Sequence, residues 1–360
     1  MKFLVAAGGS GGHIFPGQAI VQAIKSLEPK AEFIWVGTEE GKERDIAKLE
    51  GIPYVPIRAW SVNNEGLIWK IQAYWFHSLM TLKLIRLLKK EKVDAVITTG
   101  GFTTASSLMA ASILKVPIFM HEQNVYPGLG TRMFGKHAKI IFTSFPGSEK
   151  HLEGLENKIR LLGNPVRKEF SRLTYEKARQ ELGINDELLV LSVGGSLGSR
   201  NINDFIRSIS DDIEVLDNVI WIHVVGMDYE EELEFYKDKK RIKALCFLQD
   251  LPRYLAATDL LITRSGASTI TEISVLGKAS VLIPSKNVLD DHQTMNARVY
   301  TDNNAAILIE DDRLQDQESK EIIFELLNND KRRRELAKNS RGLAPQDSAL
   351  KIAQEILESL

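Results

Sequence analysis

Three short apolar runs end in paired glycines and then give way to helical patterns. They are Val5-Ala6-Ala7-Gly8-Gly9-Ser10-Gly11-Gly12, Thr98-Thr99-Gly100-Gly101 and Ser192-Val193-Gly194-Gly195-Ser196-Leu197-Gly198. A strand–glycine–helix turn presents backbone N–H groups at a helix N-terminus, where the helix dipole adds positive potential. Such a turn attracts phosphate, and glycine lets the ligand come close to the backbone. Its recurrence points to a nucleotide-type ligand. Better-known phosphate and metal motifs miss. Gly9-Ser10-Gly11-Gly12-His13-Ile14 lacks the last glycine of a dinucleotide fingerprint. Gly130–Lys136 has P-loop spacing, but His137 stands where Ser or Thr should be. His121-Glu122 opens like a zinc-protease motif, yet Val125 replaces its second histidine. The chain has no Asp-x-Asp, so no usual carboxylate seat for a metal–diphosphate ligand is present. No metal and no cofactor are expected.

Around these turns lie groups that could move a proton or contact a phosphate-bearing ligand. His13 follows the first glycine turn, and an imidazole titrates near neutrality, so it can serve as a base or a phosphate contact. His121-Glu122-Gln123-Asn124 places four polar residues directly after an apolar strand, where doubly wound sheets bind ligands. Arg264-Ser265-Gly266-Ala267-Ser268-Thr269-Ile270-Thr271-Glu272 is another strand–glycine–helix turn, with Glu272 placed to reach a ribose diol. Asp290–Ala297, containing His292 and Gln293, is a further polar helix start. Gly8–Gly12 and Gly194–Gly198 also fit G-x-S-x-G, the nucleophile elbow. Ser196 with Asp259 and His292 therefore defines an alternative, a serine hydrolase.

The elements that must position these residues are short buried runs alternating with amphipathic segments. Strands are expected at Lys2–Ala7, Glu32–Val36, Asp94–Thr98, Pro117–His121 and Lys139–Thr143. A second set is expected at Leu188–Val193, Val219–Val224, Ile242–Leu248, Leu260–Thr263 and Ala279–Pro284. Strands alternating with helices make parallel sheets covered on both faces. The turns at Gly8 and Gly194 open two halves of similar size, so two doubly wound α/β, Rossmann-like domains are expected. Their bounds are 1–166, with a helix in 345–360 packing back on it, and 167–344. The polar stretch Arg167–Asp186 reads as a linker, and the first helix as Gly17–Leu27. A length of 360 residues fits two domains, and the 44% hydrophobic content fits buried cores rather than disorder. With 46 Lys+Arg against 48 Asp+Glu, nothing marks a nucleic-acid binder. One cysteine, Cys246, excludes a disulfide framework and suits a reducing compartment. The short apolar N-terminus reads as a first strand rather than a signal peptide.

Gly66–Lys92 is a long helical pattern with an unusually wide apolar arc. Leu67, Ile68, Ile71, Tyr74, Trp75, Leu79, Leu82, Ile85 and Leu88 are joined by Trp69, Phe76 and Met80, and Lys70, Lys83, Arg86, Lys89, Lys90 and Lys92 carry positive charge. A basic helix with aromatic residues can lie on an anionic membrane surface. No run of apolar residues is long enough to span one.

Taken together, the blocks Gly8–Gly17, His121–Asn124, Gly163-Asn164-Pro165-Val166-Arg167, Gly194-Gly195-Ser196, Arg264–Ala267 and His292-Gln293 with Asn296-Ala297 resemble the MurG family of peptidoglycan N-acetylglucosaminyltransferases, GT-B enzymes of the family 28 type. The blocks occur in that family's order over nearly the whole chain. The resemblance implies a GT-B fold with two domains facing a central cleft. It implies inverting transfer of N-acetylglucosamine from UDP-N-acetylglucosamine to the 4-hydroxyl of the muramyl sugar of undecaprenyl-pyrophosphoryl-MurNAc-pentapeptide (lipid I), making lipid II. By resemblance, Ser10, Gly11, Gly12, Asn124, Arg167, Ser196, Leu248, Ala267, Ser268, Thr269, Ile270, Thr271, Glu272 and Gln293 contact the UDP-sugar, and His13 or Glu122 is the base. It also implies a peripheral enzyme on the cytoplasmic face of the membrane, with no nucleic-acid partner. Another GT-B UDP-sugar enzyme or a binding protein remains the alternative. Leu197, Thr104-Ala105-Ser106 and the loop Ala59–Gly66 depart from the family's usual residues.

Overall fold

The structure, a computed structural model, describes residues 1–39, 41–58, 67–101, 103–195 and 197–360, with backbone only for 67–74 and 289. Ser196 and the loop 59–66 lie outside the described residues, as do the side chains of Trp69 and the other apolar positions through Tyr74. The chain forms two compact units, Met1–Arg167 with Pro345–Leu360, and Lys168–Ala344.

The first unit is built on parallel strands β1 (Lys2–Ala7), β2 (Glu32–Thr38), β3 (Tyr54–Ile57), β4 (Ala95–Gly100), β5 (Ile118–Glu122), β6 (Ile140–Thr143) and β7 (Ile159–Leu161). Their order is β3-β2-β1-β4-β5-β6-β7. β1 and β4 run Phe3 beside Ala95 through Ala6 beside Thr98. Both faces are covered, which is why the strands read as continuous apolar runs rather than alternating ones. On one face Ile20 and Ile24 of the helix Gly11–Leu27 pack with Ile352, Ala353 and Ile356 of the final helix, Ser348–Glu358. On the other, Leu84 and Leu88 of the helix Leu67–Glu91 meet Leu108 of the helix Thr104–Leu114.

The second unit carries β8 (Leu188–Val193), β9 (Val219–Val224), β10 (Ile242–Leu245), β11 (Leu260–Thr263), β12 (Ala279–Leu282) and β13 (Ile307–Leu308). They form a parallel sheet in the order β10-β9-β8-β11-β12-β13. Trp221, Phe205, Ile262 and Val281 sit in its main core.

In each sheet the strand order reverses once, between β1 and β4 and between β8 and β11. Loops leaving the carboxyl ends of two strands on either side of such a reversal diverge and leave a crevice. The glycine turns after β1, β4 and β8, and the Arg264–Gly266 turn after β11, all stand at these two places.

Two expectations need correction. The first helix starts at Gly11, not Gly17, with Pro16 inside it, so the glycine turn runs straight into the helix. Residues 168–186 are no linker. They hold a helix, Tyr175–Leu182, whose Arg179 is buried against Asp259 at 2.9 Å and donates to the carbonyls of Asn185 and Glu187.

Candidate active site

In the first unit the turn after β1 is shaped by contact with the turn after β4. Gly101 has φ +91°, and a Cβ there would lie 2.1 Å from the Gly8 carbonyl oxygen. Only glycine permits that backbone and that approach. Ser10 caps the 17-residue helix Gly11–Leu27 with its hydroxyl making no bond to the helix's own first turn. Gly11 and Gly12 supply the first helical N–H groups. Phe15 leans over this turn, its ring 3.0 Å from where a Cβ of Gly11 would be. The Arg167 guanidinium stacks on that ring, 4.2 Å from its centre. A helix N-terminus and two glycines, with a cation on the neighbouring Phe15 ring, make an arrangement that can seat an anion.

His13 sits one residue beyond. Its Nδ1 lies 2.9 Å from the Thr99 carbonyl and 3.3 Å from Gln123 Oε1, while the Thr99 hydroxyl donates to the His13 carbonyl at 2.7 Å. The ring is pressed in place by Gly100, where a Cβ would come 2.8 Å from Nδ1. His121, one of the four polar residues at the end of β5, is buried with its Nε2 3.2 Å from the Gly163 carbonyl. Burial pushes its pKa down to about 4.

Glu122 is differently placed. One oxygen accepts from the Gly128 N–H at 2.9 Å and the Thr131 hydroxyl at 2.7 Å. The other accepts from the Asn124 N–H at 3.1 Å and Asn124 Nδ2 at 3.5 Å. The carboxylate folds the loop 124–131 around itself and is buried beneath it. Asn124 is half-buried at the mouth of that loop.

In the second unit the turn after β8 depends on a glycine pair. Gly198 has φ +94°, and a Cβ there would sit 2.1 Å from the Val225 carbonyl oxygen. The residues 267–272 form the first two turns of the helix Ala267–Leu276, with Glu272 almost wholly buried in the second. Gln293, at the start of the helix His292–Thr301, joins this turn. Its carbonyl accepts from the Ser265 hydroxyl at 2.8 Å, and its Oε1 accepts from the Ser285 N–H at 2.9 Å. Leu248 stands apart, beyond β10 and three places from β11 in the sheet, though the next helix, Leu251–Ala257, packs against Ala267–Leu276.

Arg264 ties these loops together. It donates to the Ile283 and Pro284 carbonyls at 3.2 and 3.3 Å, to Ser199 Oγ at 2.5 Å, and pairs with Asp311. Asp311 also accepts from Asn201 at 2.7 Å. The loops after β8, β12 and β13 are therefore held by one half-buried guanidinium.

The hydrolase alternative fails on geometry. Asp259 immediately precedes β11, at the amino edge of the sheet, while Gly195 and Leu197 follow β8 at the carboxyl edge. Both Asp259 oxygens are engaged there by Tyr175, Arg179 and the Leu189 N–H. Four strand residues of roughly 3.3 Å rise each separate it from Gly195 and Leu197 and from His292, too far for a triad built at that turn. Among the described residues no group of three His, Cys, Asp or Glu is arranged to hold a metal ion.

Thr99 and Gln123 are the neighbours of His13 that sequence reasoning did not single out. Both lay inside blocks already flagged, but nothing in the sequence marks either as a partner of His13.

Residues 3–143 match the glycosyltransferase family 28 N-terminal domain, and residues 189–356 the family 28 C-terminal domain. The chain is similar to the UDP-N-acetylglucosamine–N-acetylmuramyl-(pentapeptide) pyrophosphoryl-undecaprenol N-acetylglucosamine transferase of Exiguobacterium sp. strain AT1b, 34% identical over 99% of both chains. It is likewise 34% identical to the protein of that name from Clostridioides difficile strain 630, over 99% of this chain and 89% of the relative. The crystal structure of Acinetobacter baumannii MurG superposes with a TM-score of 0.77 at 27% identity, covering 99% of both chains. S. aureus MnaA with UDP shares the fold, with a TM-score of 0.74 at 15% identity over 100% of this chain and 97% of that one.

Proposed function

The chain belongs to glycosyltransferase family 28, and from that membership we infer its chemistry. It is a UDP-N-acetylglucosamine-dependent transferase of the GT-B fold that glycosylates lipid I to give lipid II. Beyond this, we propose how its residues divide the work. The acceptor hydroxyl attacks the anomeric carbon, the bond to the UDP oxygen breaks, and the hydroxyl proton passes to a base. His13 is that base. The observation that carries this is the hydrogen bonding of the rival candidate: the Glu122 carboxylate is enclosed by four donors, from Gly128, Thr131 and Asn124. A carboxylate so engaged would give up the loop 124–131 to reach a substrate. The leaving diphosphate is stabilised by helix N-termini and glycine-turn N–H groups, so transfer proceeds without a metal. Ser10, Gly11, Gly12 and Arg167 serve from the first unit. Leu248, the helix start 267–272 and Gln293 serve from the second, with Leu248 meeting the uracil and Glu272 the ribose. The experiment is UDP release by His13→Ala with lipid I analogue. Turnover should fall by about 10²–10⁴-fold. Near-full turnover would remove His13 from catalysis.

We also propose that the enzyme rests on an anionic membrane surface, on the cytoplasmic face. No helix among the described residues is long and apolar enough to cross a bilayer. The helix Leu67–Glu91 has two apolar stripes. Leu84 and Leu88 point into the core, while Trp75, Leu79 and Leu82 are 64%, 40% and 51% exposed at i, i+4 and i+7 spacing. The neighbouring helix Thr104–Leu114 adds Met109 and Ile113, 45% and 57% exposed. Lys83, Arg86, Lys89 and Lys90 are exposed along the same helix. Apolar side chains rimmed by cations suit the headgroup boundary of anionic lipid.

A further inference from the structure

We propose that Gln123 and His121 are positioning residues that fix the tautomer of His13, putting its proton on Nδ1 and its lone pair on Nε2. This rests on His13 being the base. The argument starts at Gly163. Its carbonyl can only accept, so His121 Nε2, 3.2 Å away, carries a hydrogen. His121 is 2% exposed and burial keeps the ring neutral at physiological pH, so its Nδ1 is bare and must accept. The group facing that nitrogen is the Gln123 amide, with Nε2 at 3.1 Å. The same amide nitrogen lies 2.6 Å from the Thr99 carbonyl, a second group that can only accept.

Two acceptors on one side dictate how the Gln123 amide is turned. The NH2 faces His121 and Thr99, and Oε1 faces His13 Nδ1 at 3.3 Å. The Thr99 carbonyl lies 2.9 Å from the same His13 nitrogen. Nδ1 of His13 therefore meets two oxygens that offer it lone pairs. In the opposite tautomer three lone pairs would confront one another beside the buried Thr99 and Gln123, where unpaired polar groups are costly. The hydrogen sits on Nδ1, and Nε2 is left basic. This is the tautomer a general base needs, and a chain of neutral groups sets it, rather than the carboxylate that usually orients a catalytic histidine. Thr99 reinforces it by gripping His13 at both ends, through its carbonyl to the ring and its hydroxyl to the His13 backbone.

The direct test is 15N NMR of histidine-labelled wild-type enzyme. His13 is expected solely as the Nδ1–H form at neutral pH. A wild-type His13 protonated on Nε2 overturns the proposal without any variant. In Gln123→Leu, kcat should fall ~10–10²-fold with the donor KM within ~3-fold, as for a misplaced group rather than a lost binding contact. Gln123→Glu keeps an oxygen facing His13 Nδ1 but sets its other oxygen against the Thr99 carbonyl and the bare His121 Nδ1, so it should not restore the wild-type kcat. If Gln123→Leu keeps the wild-type kcat and His13 tautomer, the relay is not needed and the proposal fails. His13→Ala reports separately: full turnover there would sink the base assignment, whatever tautomer the NMR shows.

Discussion

Replacing Glu122 with glutamine separates an anchor from a base. In the wild type the carboxylate accepts from Gly128 N and Thr131 Oγ1 on one oxygen, at 2.9 and 2.7 Å, and from Asn124 on the other. Glutamine keeps a single acceptor. If that oxygen stays toward Gly128 and Thr131, its NH2 confronts the Asn124 N–H, two donors face to face under a buried loop. One charge-assisted hydrogen bond is worth about 1.5–3 kcal/mol, and the stranded donor adds to the loss, so destabilisation of ~2–4 kcal/mol follows. For a unit of this size each kcal/mol moves the melting temperature by roughly 2–4 °C, giving a fall of about 4–16 °C. The assay pairs a thermal melt with UDP release measured at 25 °C, well below either transition. As an anchor, Glu122→Gln melts early but keeps kcat within ~10-fold. As the base, it would melt like the wild type and lose ~10²–10⁴ in kcat, which would refute the assignment of the proton to His13.

Other outcomes follow from the same structure. Gly100→Ala, which forces a side chain at φ +97° to within 2.8 Å of His13 Nδ1, should lower kcat and stability together, read by UDP release and a melt. Asp311→Ala leaves the half-buried Arg264 guanidinium without its carboxylate and should cost ~2–4 kcal/mol in urea unfolding of the second unit, somewhat less than for a fully buried pair; a loss below ~1 kcal/mol would mean that the strap is dispensable. Lys278 is buried with its ammonium over the Tyr175 ring and bonded to the Ala256 and Thr258 carbonyls, and burial lowers its pKa to about 8. Since the unfolded chain holds that proton up to about pH 10, stability should rise with pH between about 8 and 10, and Lys278→Met should abolish the rise in urea midpoints. Trp75→Glu with Lys89→Glu should weaken sedimentation with anionic vesicles, and added salt should weaken the wild type's binding; unchanged binding by the double variant would remove this helix from the membrane surface.

The sequence made the interior of both sheets legible because a strand buried on two faces is an uninterrupted apolar run. It hid β3, β7 and β13, all at sheet edges. Tyr54-Val55-Pro56-Ile57 carries a proline that only an edge tolerates, and Ile159-Arg160-Leu161 and Ile307-Leu308 are too short and half-exposed to show a pattern. The first helix was cut short at Gly17 because glycines and Pro16 read as turn, yet a glycine turn leading directly into a helix is what exposes its N–H groups. The stretch 168–186 looked like a linker because polar residues cannot signal that one of them, Arg179, will be buried among carbonyls and Asp259. At the site, the residue types that do chemistry stood out, His13 and Glu122 above all. What separates their roles is which neighbours they meet. Thr99, Gly128 and Thr131 are brought to them from 86, 6 and 9 residues away by the fold.

The central claim is acceptor-dependent sugar transfer, and UDP release with and without lipid I analogue, in the presence of EDTA, tests it most directly. The account predicts UDP release only when the acceptor is present, matched mole for mole by N-acetylglucosamine on the acceptor and undiminished by EDTA. Release of UDP without acceptor, or binding of UDP-N-acetylglucosamine by folded protein with no transfer to lipid I, would contradict it.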